Sequence, residues 1–391
     1  MTFQIKQRLS KTVIGSSLFI GLSLSALQAF SSPEMVGNYQ GSPYATWDGL
    51  YEQNVQVRTF AQPLVNNPSE VILRRFLQYI PQKIYERQSQ YPLVIVLHGG
   101  NSSPELVKEF SMQDRWERLA DKEQFMLAYG NAYNINNDPA PLESDAPYWA
   151  NGGYWRSCVG DPGAGPDFYN VDDVDYIKRV ISQMQSEALP IDMDRIYIIG
   201  LSNGGELAEH IASQSGDLIA GAGSVVPVYG APKNIPSGPC AASEQAATSL
   251  IRIYSPQDPV LAPIFNSIGL NYKELIQQTS AAWVHALGLN PTTANVTYLE
   301  NSVSEGDGYT GSIPWALNTM NSYAIRTDYE AANNGADFAE IQLIGAGHGW
   351  PEIKGATFEA AESSGQFGFH NQDFVAEEVI WEFLKSKRKI K

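Results

Sequence analysis

The chain has 391 residues, enough for two or three domains of ordinary size. It is 43% hydrophobic and 17% charged, which excludes a disordered chain, a coiled coil and a collagen-like repeat. Its 42 acidic and 26 basic residues give a formal charge of −16, and the body of the chain has no basic run, so the composition argues against a nucleic-acid partner. Two cysteines exclude a disulfide-dense miniprotein and a four-cysteine zinc site.

Lys6, Arg8 and Lys11 open the chain, and residues 12 to 29 are apolar or small and uncharged. Ala29-Phe30-Ser31 offers a small-x-small cleavage pattern, so residues 1–30 read as a secretory signal peptide. The competing reading is an uncleaved anchor, for which this serine-rich run is short. The expectation is export to the periplasm or beyond the cell, with no membrane attachment once the signal is gone. There Cys158 and Cys240 can oxidise, and a single disulfide between them is expected, with two buried thiols as the alternative.

Residues 31–68, rich in Ser, Pro, Gly, Asn and Tyr, read as an irregular segment lying on the domain. From 69 to 388 the pattern predicts one large α/β domain. Residues 71–80 alternate as an antiparallel strand does, and Pro81 ends them. Leu93 to Leu97 is an unbroken apolar run, as in a strand buried on both faces of a parallel sheet. Similar short runs recur at Phe125–Tyr129, Ile196–Ile199, Leu250–Tyr254 and Ile341–Ile344. Between them lie helical patterns. Val174, Ile177, Ile181 and Met184 make one face, with Asp172 and Asp173 suited to its N-terminus. Leu207, Ala208, Ile211 and Ala212 mark a second helix, and Phe374, Ile380, Phe383 and Leu384 a C-terminal one. Strands alternating with helices predict a mainly parallel central sheet flanked by helices.

The strand Ile196–Ile199 runs into Gly200-Leu201-Ser202-Asn203-Gly204, with a helix behind it. G-x-S-x-G between strand and helix holds the serine on a strained turn at the open end of the sheet. The bland alternative is a plain Gly-Ser turn. A serine nucleophile needs a base oriented by a carboxylate. Of five histidines, His210 and His285 sit in helical patterns, His370 lies in a polar stretch, and His98 sits between a strand and two glycines, where it suits a supporting role. His348, in the Gly-rich loop Gly345–Pro351 after a strand, is the expected base. The acid is expected between serine and base in chain order. Asp258, in Ser255-Pro256-Gln257-Asp258-Pro259 after Leu250–Tyr254, is the choice over Asp307 and Asp328, and an Asx-turn is its bland reading. The oxyanion hole is expected from the Asn203 N–H and that of Gly99 or Gly100.

With these residues the chain resembles the secreted polyhydroxybutyrate depolymerase-like esterases, the group that includes bacterial and fungal feruloyl and acetylxylan esterases. The resemblance is carried by PLVIVLHGG at 92–100, WERLADKEQFMLAYGNA at 116–132, VDDVDYIKRVI at 171–181, DRIYIIGLSNGG at 194–205, the Asp258 loop and GAGHGWP at 345–351. It implies an α/β-hydrolase fold with Ser202 as nucleophile, Asp258 as orienting acid and His348 as base. The family pattern has HGTxD before the acid, where this chain has YSPQD. Residues 301–330 look like extra length between acid and base, and no separate polymer-binding module is in view.

The leading reading is a serine esterase working through an acyl-enzyme on a small or oligomeric ester, of the hydroxyalkanoate, feruloyl or acetyl-polysaccharide type. The alternatives are a serine peptidase of related fold and a catalytically silent binding protein. No cofactor is called for. No metal is expected either, since the histidines lack helical i,i+4 spacing and Ser304–Gly308 is too short for a calcium loop. Aromatic side chains suit a feruloyl or sugar ring but more often serve packing. His98, Trp155, Tyr309, Trp315 and Trp350 are the candidate pocket residues. Residues 304–318, between acid and base, are expected to form one pocket wall.

Overall fold

The computed structural model describes residues 55–65, 67–86, 89–100, 102–108, 112, 114–133, 155, 171–214, 216–227, 248–267, 269–299, 323–332, 335–351, 371 and 373–390. The signal segment, Cys158, Cys240, His370, Asp307 and the 304–318 segment with Tyr309 and Trp315 lie outside the described residues.

Unbroken aliphatic runs are stable only where both faces of a strand are covered. Such runs make the centre of one sheet with ten strands among the described residues. In chain order these are β1 (Val55–Pro63), β2 (Val71–Tyr79), β3 (Tyr91–Leu97), β4 (Met126–Gly130), β5 (Ile191–Leu201), β6 (Gly221–Val225), β7 (Ser249–Tyr254), β8 (Asn295–Leu299), β9 (Tyr323–Tyr329) and β10 (Phe338–Ile344). Their order in the sheet is β1-β2-β4-β3-β5-β6-β7-β10-β9-β8. The six strands from β4 to β10 in that order are parallel. β1 and β2 join antiparallel at one side, and β9 and β8 at the other.

Parallel neighbours require crossovers, and helices supply them. Those in the connections are α1 (Arg115–Glu123), α2 (Asp173–Ser186), α3 (Asn203–Gln214), α4 (Leu261–Ser267) and α5 (Tyr272–Ala286), and α6 (Ala376–Leu384) follows the last strand. Alternation along a strand sends successive side chains to opposite faces. Thus Val94 and Val96 of β3 join the core under α1 and α6, while Leu93, Ile95 and Leu97 join the core under α2, α3 and α5. Helix α2 starts where the sequence puts it, because the Asp172 carboxylate accepts from the N–H groups of Val174 and Asp175. Among the described residues no helix is long and apolar enough to cross a membrane.

Two expectations need correcting. Residues 55–63, expected to be irregular, form β1, which is paired along its whole length with β2. The Gln and Arg residues interleaved with its apolar ones suit an edge strand, and the turn-forming composition on its N-terminal side hid it. Within the region 301–330, residues 323–329 are β9, hydrogen-bonded to both β8 and β10, and so part of the sheet.

The first eight strands in sheet order, with turns of interest after β3, β5, β7 and β10, make this an α/β-hydrolase fold. The carboxyl ends of parallel strands open onto one crevice, which is where such sheets place their sites.

Candidate active site

Ser202 leaves β5 at φ 53, a left-handed value that costs a non-glycine residue on the order of 1 kcal/mol or more. Its N–H donates to the Val225 carbonyl at 2.8 Å, and its own carbonyl accepts from Glu206 N–H at 3.0 Å, starting α3. The flanking glycines have a steric cause. A Cβ on Gly200 would stand 2.0 Å from the Gly204 oxygen, and one on Gly204 would stand 2.5 Å from the His98 oxygen. The turn therefore closes only without side chains at both places, and that closure brings the serine to the imidazole.

Ser202 Oγ lies 3.0 Å from His348 Nε2, and His348 Nδ1 lies 2.6 Å from Asp258 Oδ2. Asp258 is fully buried. Its other oxygen accepts from the N–H groups of Val260 and Leu261 at 2.9 and 2.8 Å, entering α4. The Asx-turn and the role of orienting the histidine had looked like rival readings of Asp258. They are one arrangement, in which the turn fixes one oxygen and aims the other. The altered YSPQD loop has its own tie, since Ser255 Oγ donates to the Ala346 carbonyl at 2.6 Å and so joins the acid loop to the base loop. Past the histidine, Pro351 C=O accepts from Ala376 N–H and anchors that loop on α6.

The rival groups lie elsewhere. Asp328 on β9 is held by Arg326 at 2.7 to 3.0 Å. His210 and His285 lie on α3 and α5. Burial lowers the His210 pKa to about 4.

Three expected pocket residues are instead packed beneath the site. His98 is 0% exposed, and Trp155 and Trp350 are 1% exposed. Both ring nitrogens of His98 are engaged, Nδ1 with the Gly99 carbonyl at 2.6 Å and Nε2 with Ala132 N–H at 3.0 Å. The pattern fits a neutral ring that donates from Nδ1 and accepts at Nε2, and burial holds its pKa down to about 4. The Trp155 indole fills the space left at Gly130, where a Cβ would stand 2.8 Å from it, and so supports the end of β4.

The loop after β3 does reach the serine. A Cβ on Gly99 would stand 3.5 Å from Ser202 Cβ. Gly100 follows it in the same loop, and across the gap Asn203 opens α3. The first N–H groups of a helix have no carbonyl upstream to bond, and the dipole makes that end positive. A residue that sequence reasoning missed is Val226, held at φ 40 with its N–H on the Ile253 carbonyl at 2.8 Å. A β-branched residue in that region is strained, and it directly follows the carbonyl that holds Ser202. Nothing in the local sequence signals it.

An imidazole with one nitrogen on a buried carboxylate and the other on a serine hydroxyl can take the hydroxyl proton as the oxygen attacks an acyl carbon. Among the described residues no three His, Cys, Asp or Glu side chains converge so as to hold a metal ion.

No family model matches the chain. It is similar to the protein named "Putative esterase NocK" of Nocardia uniformis subsp. tsuyamanensis, 25% identical over 278 residues, covering 68% of this chain and 67% of that one. It is also similar to the bifunctional acetylxylan esterase/xylanase XynS20E of Neocallimastix patriciarum, 28% identical over 129 residues, or 33% of this chain and 15% of that one. Among solved structures, the acetyl xylan esterase from Aspergillus awamori aligns over 80% of this chain and 98% of its own, with a TM-score of 0.46 and 12% identity.

Proposed function

We propose that this protein is a serine carboxylic-ester hydrolase that works through an acyl-enzyme. One observation carries the reading: Ser202, His348 and Asp258 form a continuous hydrogen-bonded line, with the serine on a strained turn at the crevice. Ser202 attacks the acyl carbon while His348 Nε2 takes its proton. Asp258 holds the ring in the tautomer that leaves Nε2 free to accept and stabilises the imidazolium that forms. The Asn203 N–H and that of Gly99 or Gly100 meet the developing oxyanion. His348 then protonates the leaving alcohol, and water repeats the steps on the acyl-enzyme.

The names of the two relatives support ester over amide chemistry, and that of XynS20E favours an acetylated polysaccharide within the hydroxyalkanoate, feruloyl and acetyl range. Export through the residue 1–30 signal and a Cys158–Cys240 disulfide belong to the same reading.

The test is a fluorophosphonate label together with a panel of acetylated xylan, feruloyl esters and hydroxybutyrate oligomers. The wild-type protein should be labelled at Ser202 and should turn over at least one ester. Ser202→Ala should lose label and turnover together, by on the order of 10⁴ to 10⁶ in kcat. Retained turnover in that variant would sink the serine mechanism.

A further inference from the structure

The two halves of the oxyanion hole come from different elements, the start of α3 and the loop after β3, and Trp155 touches both. The Asn203 side-chain amide grips the Trp155 backbone as a neighbouring strand would. Its Oδ1 accepts from Trp155 N–H at 2.6 Å, and its Nδ2 faces the Trp155 carbonyl at 3.4 Å. On the other side the Trp155 indole N–H donates to the His98 carbonyl at 2.8 Å. The indole packs on the His98 ring with centroids 5.1 Å apart, and it fills the space at Gly130, where a Cβ would stand 2.8 Å from it.

Peptide planarity gives these contacts a consequence. A carbonyl and the following N–H share one trans plane and point in opposite directions. Fixing the His98 carbonyl on the buried side therefore aims the Gly99 N–H the other way. The next plane is fixed likewise, since His98 Nδ1 holds the Gly99 carbonyl and so aims the Gly100 N–H. Whichever glycine donates, its direction depends on Trp155, either through the carbonyl that the indole holds or through the ring on which it packs.

We propose that Trp155 is a positioning residue that sets the separation and direction of the two oxyanion donors, resting on the esterase reading above. Trp155→Phe keeps an aromatic ring and removes the indole N–H. Turnover of p-nitrophenyl acetate should be measured per site titrated with fluorophosphonate, so that misfolded protein does not count. The expected result is a fall in kcat of about ten- to a hundredfold with KM within twofold, because misplaced donors weaken the transition state more than the ground state. A trifluoromethyl ketone, whose hemiketal oxygen occupies the hole, should lose affinity in parallel. Asn203→Ala, which keeps the backbone donor and removes the grip, should show the same signature and carries the test if Trp155→Phe does not fold. A purely structural role would lower the titratable fraction and leave kcat per site and ketone affinity within twofold of wild type, and that result overturns the proposal. A wild-type protein that neither labels nor hydrolyses esters overturns the esterase reading itself, and the inference with it.

Discussion

The sheet buries charge on both of its faces, and the two faces neutralise it differently. Under α2, α3 and α5, Arg74 meets Asp173 and Arg252 meets Glu209, each pair at 2.8 Å and each side chain no more than 1% exposed. Arg74 also holds the Asn131 carbonyl and Gln62, and its guanidinium lies over Tyr176. Under α1 and α6, Glu117 and Glu377 are equally buried, with the Tyr129 hydroxyl against the first carboxyl and the Trp350 indole N–H against the second. Lys108, which is tied to Asp114, stands 3.8 Å from Glu117. Burial raises both carboxyls to about 7. A buried charge must be paired or discharged. Pairing is used where direction matters. Arg252 is on the strand that leads to Asp258, Glu209 is on the helix that follows Ser202, and Arg74 holds the loop whose Ala132 N–H meets His98. At Glu117 and Glu377 burial instead favours the protonated carboxyl, even with Lys108 and Asp114 paired beside Glu117.

Removing one member of a pair breaks the comparison most sharply. Glu209→Ala leaves Arg252 buried with the Ile276 carbonyl and Ser280 hydroxyl as its oxygen partners among the described residues. An uncompensated buried charge of that kind costs about 3–5 kcal/mol. Urea unfolding should show that loss, while Glu209→Met combined with Arg252→Met should recover most of it. Equal losses in the single and double variants would show that the pair acts through packing alone.

The opposite face predicts a pH-dependent gain. The Glu377 carboxyl holds its proton up to about pH 7 when folded, against 4.5 in the free side chain. Between those values the folded state binds the proton and the unfolded state does not, so this group's stability contribution falls as pH rises. Glu377→Gln mimics the protonated form at every pH. Relative to wild type it should gain roughly 3 kcal/mol between pH 4.5 and pH 8, with the change spread across that window. A constant offset from the new amide is read out by comparing urea melts at the two ends. A difference that does not vary with pH would mean that Glu377 is ionised and paired.

The faces were unequally legible in the sequence. The nucleophile turn, the base loop and the acid after β7 each follow a strand whose aliphatic run is plain to see. Their meeting follows from chain order in a parallel sheet. Strand β6 was not legible, because its text is Gly-Ala-Gly-Ser-Val, poor in strand-forming residues. Its glycines are there for α6, since a Cβ at Gly221 would meet Leu384 at 2.5 Å and one at Gly223 would meet Ile380 at 2.9 Å. Of the candidate pocket residues, His98, Trp155 and Trp350 are buried in packing, the commoner fate of large rings, while Tyr309 and Trp315 lie outside the described residues. Whether a tryptophan lies above or below a loop depends on tertiary packing, which no local spacing encodes. The buried carboxyls of Glu117 and Glu377 occupy ordinary charged positions in a helix's first turn, and nothing in the local sequence marks them as buried.

The smallest predicted effect compares how the helices on the two faces begin. Helix α2 has the Asp172 carboxylate on two of its free N–H groups, at 2.9 and 3.0 Å. The residue before α6 is Val375, whose side chain cannot accept and so gives the helix no cap. Val375 is nonetheless extended, with φ −95 and ψ 113, which is the conformation a capping residue adopts. The backbone is ready for a cap that the side chain does not supply. Asp172→Ala should therefore lose about 1 kcal/mol and Val375→Ser should gain up to about the same, less what the half-buried valine contributes by packing. Because the two sites lie on opposite faces and share no partner, the double variant should equal the sum of the singles to within about 0.5 kcal/mol. If Val375→Ser instead destabilises the protein by as much as Asp172→Ala does, the first turn of α6 depends on burial rather than on hydrogen bonding. The contrast between the faces would then extend from their buried charges to the ends of their helices.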